Sequence, residues 1–132
     1  MQDRPTVLEL LREVERFLQE LASSLEGGRR FQALVAANAV RIVMRELEGE
    51  EDQLRQEWEA LDRLLGPQPM PNLTSQLREG VKERLQELCR RINQGEADPS
   101  HPLREGIISF LWLLTRHKLQ VNDPGWLERP RA

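Results

Sequence analysis

Tyrosine is absent from this chain, cysteine occurs once, and only three Phe and three Trp are present. The lone Cys89 cannot close an intrachain disulfide, so a reducing, cytoplasmic setting is expected. So few aromatics leave no stacking platform for single-stranded nucleic acid, and a net charge of −3 gives no basic face for a phosphate backbone. The longest strongly apolar run, 107–114, is far short of the roughly 18–20 residues that cross a bilayer. Neither nucleic acid nor membrane is therefore expected as a partner. The start, Met1-Gln2-Asp3-Arg4-Pro5, lacks the basic-then-apolar order of a signal peptide. Lysine is scarce, two against seventeen arginines, which reads as genome composition rather than chemistry.

Catalytic and cofactor signatures are scarce too. The two histidines, His101 and His117, sit in neither an E-x-x-H nor an H-x-x-x-H pattern, so no helical metal site is expected. Neither follows an arginine at the four-to-six-residue spacing of helical ribonuclease toxins. Gly27-Gly28 lacks the lysine and the preceding strand of a phosphate loop. Cys89 shares an apolar stripe with Leu85, Leu88 and Ile92, which predicts a buried small hydrophobe rather than a nucleophile. No cofactor is expected.

What is present is helical periodicity nearly throughout. At 132 residues the chain suits one domain, 1–132. Thr6-x-x-Glu9 after Pro5 is a capping box. Val7, Leu10, Leu11, Val14, Phe17, Leu18, Leu21 and Leu25 then follow the i, i+3, i+4, i+7 pattern until Gly27-Gly28. Further helices are predicted over 29–48, 51–65, 74–94 and 103–121, with Gly49, Gly66 and Gly95 as stops. Three prolines make 66–72 a surface loop, and 124–132 a loose tail. The second and fifth helices carry apolar residues around most of their circumference, so the expectation is an all-α, compact bundle of about five helices with these two central.

Two charges point the wrong way on the helical wheel. Lys118 falls near the middle of the stripe Leu103, Ile107, Phe110, Leu111, Leu114 and Val121. Glu46 lies among Val35, Ala39, Ile42 and Val43. Buried charges need partners, so a Glu46–Lys118 pair is the expectation. The ordinary alternative is a lysine whose stem snorkels to water in the last helical turn. The narrow polar face of the second helix holds Asn38, Arg41, Arg45 and Glu48. Asn38 and Arg45, seven residues apart, stack on one line and could grip a small acidic or carbonyl ligand. The ordinary alternative has Asn38 bonded to a neighbouring helix or loop and both arginines solvated. Ile108, Trp112 and Leu119 give the fifth helix a second apolar side, a candidate interface or dimer face to which Trp126 could add.

Asp3-Arg4-Pro5-Thr6, the helix Val35-Ala36-Ala37-Asn38-Ala39-Val40-Arg41-Ile42-Val43-Met44-Arg45-Glu46-Leu47, and the closing Lys118-Leu119-Gln120-Val121-Asn122-Asp123-Pro124 resemble a bacterial family of small all-helical domains of unknown function. Members of that family are often encoded beside acyl-CoA dehydrogenase-like and aminoglycoside-phosphotransferase-like genes. The family's end motif more often runs Lys-x-x-x-Asp-Asn-Pro, whereas Asn122-Asp123 is inverted here. The resemblance implies no known activity, but it joins Asn38, Arg45, Glu46, Lys118 and Asn122 as one polar set. The function expected is a non-enzymatic accessory or interaction protein, possible partners being enzymes of those two kinds. The alternatives are a ligand-binding protein or enzyme with a pocket at Asn38, Arg45, Glu46 and Lys118, and a structural homodimer without further partner.

Overall fold

The computed structural model describes residues 3–130. Helix α1, Val7–Ser23, opens on the expected capping box. The Glu9 backbone N–H donates to Thr6 Oγ1 at 3.2 Å, and the Thr6 N–H donates to Glu9 Oε2 at 2.7 Å. Helices α2 (Gly27–Leu65), α3 (Thr74–Asn93), α4 (Arg104–Asn122) and the one-turn α5 (Pro124–Leu127) follow. No strand occurs among the described residues, and the chain is all-α.

The helices expected over 29–48 and 51–65 are a single helix, α2. A glycine inside a helix costs only about 1 kcal/mol relative to alanine. Strong helix formers flank Gly49 on both sides, and Arg55 Nη2 donates to Glu51 one turn back at 2.9 Å. The stop signal at Gly49 is outweighed. Residues 124–127, expected to be loose, begin with the turn of α5. The end of that tail, 131–132, lies outside the described residues.

The internal packing divides the chain into two units, Met1–Gly49 and Glu50–Ala132. The division falls inside α2 and not at the proline loop. In the C-terminal unit, Trp58 and Leu61 from α2, Leu77, Val81 and Leu88 from α3, and Ile107 and Phe110 from α4 make one apolar core. Leu61, Leu77 and Ile107 are its most deeply buried side chains, each worth roughly 1.5–3 kcal/mol relative to an exposed one. Gly80 is where α3 meets the indole. A Cβ there would lie 2.8 Å from Trp58 Cζ3.

Arg84 is buried within this core and is only 5% exposed. Its guanidinium lies 4.6 Å from the centre of the Trp58 ring. Nη1 donates to Asp62 Oδ1 at 2.6 Å and Nη2 to the Gly66 carbonyl at 2.7 Å. Trp58 Nε1 donates to the Gln68 carbonyl at 3.2 Å, and the Gln68 N–H returns to Asp62 Oδ1 at 3.1 Å. The proline loop is thus tied to α2 and α3 by side chains that supply the donors its own backbone lacks.

In the N-terminal unit, α1 and the first part of α2 form an antiparallel hairpin. Arg12 Nη2 meets Glu48 Oε1 at 3.1 Å, and Arg41 Nε meets Glu15 Oε1 at 2.6 Å, so pairing runs backwards along α2 as α1 advances. Its buried hydrophobic residues are Ala22, Ala33, Ala37 and Met44.

Two outcomes follow. Asp62→Ala strips the buried Arg84 of its carboxylate and should destabilise the chain by about 2–4 kcal/mol in urea unfolding, a loss of under about 0.5 kcal/mol being contrary to this account. The second concerns acid. The hydrogen bond from Arg78 Nε, at 2.5 Å, holds the Glu50 carboxyl below its usual value of 4.5, with burial opposing and the arginine charge reinforcing the shift. A carboxyl whose folded pKa is lowered stabilises the fold fully above its unfolded value, and that contribution fades as pH falls through the folded value. Glu50→Gln should therefore flatten the fall of the melting temperature below pH about 4.5, which thermal melts across that range would measure.

Candidate functional site

The inward seam of α4 runs Ile107, Phe110, Leu114, His117 and Val121, a three-four spacing that keeps one line of the helix against α2 and α3. On the next line round the helix Ile108 is half-buried, and Leu111 and Trp112 are exposed. Between the end of α2 and α4 lies an open groove of about 500 Å³. Ala60, Leu64, Leu103, Phe110 and Leu113 make it apolar, Trp112 borders it, and the exposed Arg63 and Arg116 add two cations. Neither arginine has an ion-pair partner among the described residues. A shallower groove of about 340 Å³, lined by Ile108, Leu111, Trp112 and Thr115, continues round the same indole. Trp112 is 64% exposed. Ile108 and Trp112, predicted from the sequence, thus come together. Trp126 is exposed on α5 but lines neither groove.

His117, not Lys118, is the buried polar residue of α4. The apolar arc is wide, so its centre lies one residue away from where the wheel put it. His117 Nδ1 is 2.7 Å from Glu57 Oε1, and Nε2 is 3.2 Å from Gln56 Oε1. Gln53 Nε2 donates to Gln120 Oε1 at 3.1 Å beside them. An ionised carboxylate can only accept, so Nδ1–H donates its hydrogen bond to Glu57 and the ring's orientation is fixed. This Glu–His pair has the arrangement of an oriented base, yet His117 borders neither groove. It therefore serves as a polar joint between α2 and α4. Sequence reasoning set His117 aside because it lacked metal-site spacing; its place in the 107-110-114-117-121 line was the available signal.

The remaining predicted residues fall differently. Lys118 and Glu46 are both exposed, so the burial argument for pairing them loses its premise. Asn38 and Asn122 are exposed as well. Arg41 is not solvated but half-buried against Glu15, and Arg45 is half-buried and engaged. Asn38, Arg41, Arg45 and Glu46 belong to the N-terminal unit, whereas Lys118 and Asn122 belong to the C-terminal one. Cys89, expected to be buried, is exposed. The buried line of α3 is Leu77, Val81, Arg84 and Leu88, and Cys89 stands one step beside it.

A family model described as Domain of unknown function (DUF6285) matches residues 23–126. The chain belongs to this family. No curated protein and no solved structure matches it. The DUF6285 match begins on the last residue of α1 and takes in α2, α3, α4 and most of α5. Two of the segments that carry the resemblance, Val35 to Leu47 and Lys118 to Pro124, lie inside it. Asp3-Arg4-Pro5-Thr6 lies before it. Among the described residues, no helix is long and apolar enough to cross a membrane. Among the described residues, no three His, Cys, Asp or Glu side chains gather as metal ligands.

Glu57→Ala tests the joint. It should lower stability by about 1–3 kcal/mol in urea unfolding, because it leaves the buried imidazole without its acceptor, while ligands of the α4 groove bind unchanged. An unaltered stability would remove the structural role assigned to the pair.

Proposed function

We propose that this DUF6285 domain is a non-enzymatic accessory protein that docks a partner through the α4 surface. The observation that carries this reading is Trp112. Large aromatic side chains rarely stand 64% exposed beside an open apolar groove without a partner to cover them, and tryptophan is among the residues that contribute most to binding when covered. Arg63 and Arg116 would face carboxylates on that partner and set its orientation. The family resemblance supplies the partner class: an enzyme of the acyl-CoA dehydrogenase or aminoglycoside-phosphotransferase kind, in a bacterial cytoplasm.

The docking surface is tested by mutation. The purified chain is titrated by calorimetry with an acyl-CoA dehydrogenase-like and a phosphotransferase-like protein from the same genome. Trp112→Ser should weaken the complex by roughly 30-fold or more, the effect of losing a central aromatic anchor, while Lys118→Met binds as the parent does. If Trp112→Ser binds as well as the parent, the docking surface is wrong. If neither enzyme binds the parent chain, the partner class is wrong.

A further inference from the structure

The hairpin of α1 and the first part of α2 is built to be covered on one side. Helix α1 carries two three-four seams next to each other. The first, Leu8, Leu11, Glu15, Leu18 and Ala22, faces α2 and is buried or half-buried. The second, Val7, Leu10, Val14, Phe17 and Leu21, has no charge in it, and every member is exposed, from 37% at Leu21 to 59% at Val7 and Phe17. A helix with two adjacent seams is a helix with two neighbours. Helix α2 shows the same thing. Ala33, Ala37 and Met44 turn toward α1, while Ala39, Val43 and Leu47 stand exposed on the strip beside them, with the exposed Glu46 at its outer edge.

Both free strips look to the same side. At about 100° per residue, the α1 strip is displaced counter-clockwise from the α1–α2 contact line, viewed from N- to C-terminus, and so is the α2 strip. In an antiparallel pair that displacement brings both to one face. The ion pairs Arg12–Glu48 and Glu15–Arg41 are displaced in the opposite sense and mark the other side of the seam.

We infer that this face is completed by the same face of a second copy, making a four-helix bundle from two hairpins. The large side chains on it leave on the order of 700 Å² accessible, close to the roughly 800 Å² per partner of a standard interface. The fully buried apolar side chains of the hairpin are three alanines and one methionine, and the larger Leu8, Leu11, Leu18, Leu25, Val40 and Ile42 are only half-buried, a small core for about fifty residues. The missing neighbours must therefore be present whenever the hairpin is folded. A second copy is made wherever the chain is made, and it supplies two helices of matching length and spacing. The face is distinct from the α4 groove and does not depend on the docking role proposed for it.

Light scattering on the eluting full chain at micromolar concentration should give twice the 15.4 kDa monomer mass. Phe17→Glu should shift it to the monomer, whereas Trp112→Ser should not, which separates this interface from partner docking. A parent chain that elutes as a monomer, or a Phe17→Glu chain that stays dimeric, overturns the inference. Should Phe17→Glu fail to fold, thiol cross-linking decides. In a Cys89→Ser background, Val14→Cys should form a covalent dimer with a short bismaleimide and Arg12→Cys on the other side should not. Equal cross-linking at both positions, or at neither, refutes the face.

Discussion

The C-terminal unit depends on how a charged residue is accommodated inside an apolar core. Arg84 sits on α3 in line with Leu77, Val81 and Leu88, where a leucine would be expected. Its charge is tolerable because three kinds of group meet it at once: the Asp62 carboxylate, the Gly66 carbonyl and the face of the Trp58 ring. The return is control of the loop. A segment containing Pro67, Pro69 and Pro71 cannot supply the usual backbone donors, so the side chains of Arg84 and Trp58 hold its carbonyls instead. With the loop fixed, α3 returns at the angle that lets Gly80 accept the indole and Leu77 reach the core. One polar knot thereby sets the packing of two helices.

The hairpin has no comparable knot. Its inter-helix ion pairs are partly or largely exposed: Arg12 and Glu48 are 58% and 48% exposed, Arg41 and Glu15 40% and 22%. Pairs of that kind contribute little to stability, commonly below about 1 kcal/mol. They can fix register but not hold two helices together. What remains is a seam of alanines and Met44 flanked by half-buried leucines, which removes only part of the hairpin's apolar area from water. The contrast is between a unit with a closed apolar core and one that leaves many of its large apolar side chains exposed.

The sequence disclosed much of this and misled in specific places. The capping box at Thr6 and Glu9 was legible because it is local chemistry at fixed spacing. Gly49 misled because a helix stop is a matter of competing propensities, and its neighbours on both sides favour helix strongly. Lys118 and Cys89 misled for another reason. Each lies one residue from a true seam, and on a helix with a wide apolar arc the wheel defines the arc better than its centre. Arg84 was invisible, since an arginine gives no sign in a periodicity count that it will be buried. Ile108 and Trp112 were legible as a second apolar side, because a residue that breaks the inward period on an apolar helix must face something else.

The two apolar surfaces differ in a way that bears on what each can do. The seam of α1 contains no charged residue across five positions, so any water-filled arrangement of it is costly and its cover must be lasting. The α4 groove instead pairs its apolar lining with Arg63 and Arg116, neither of which is ion-paired among the described residues. A free guanidinium stays well hydrated while the surface is empty and gains a carboxylate when it is filled. Such a surface tolerates both states, as reversible docking requires. Constant assembly through the hairpin and intermittent docking through α4 are therefore compatible on one chain, because the side chains that would serve them have opposite needs when uncovered.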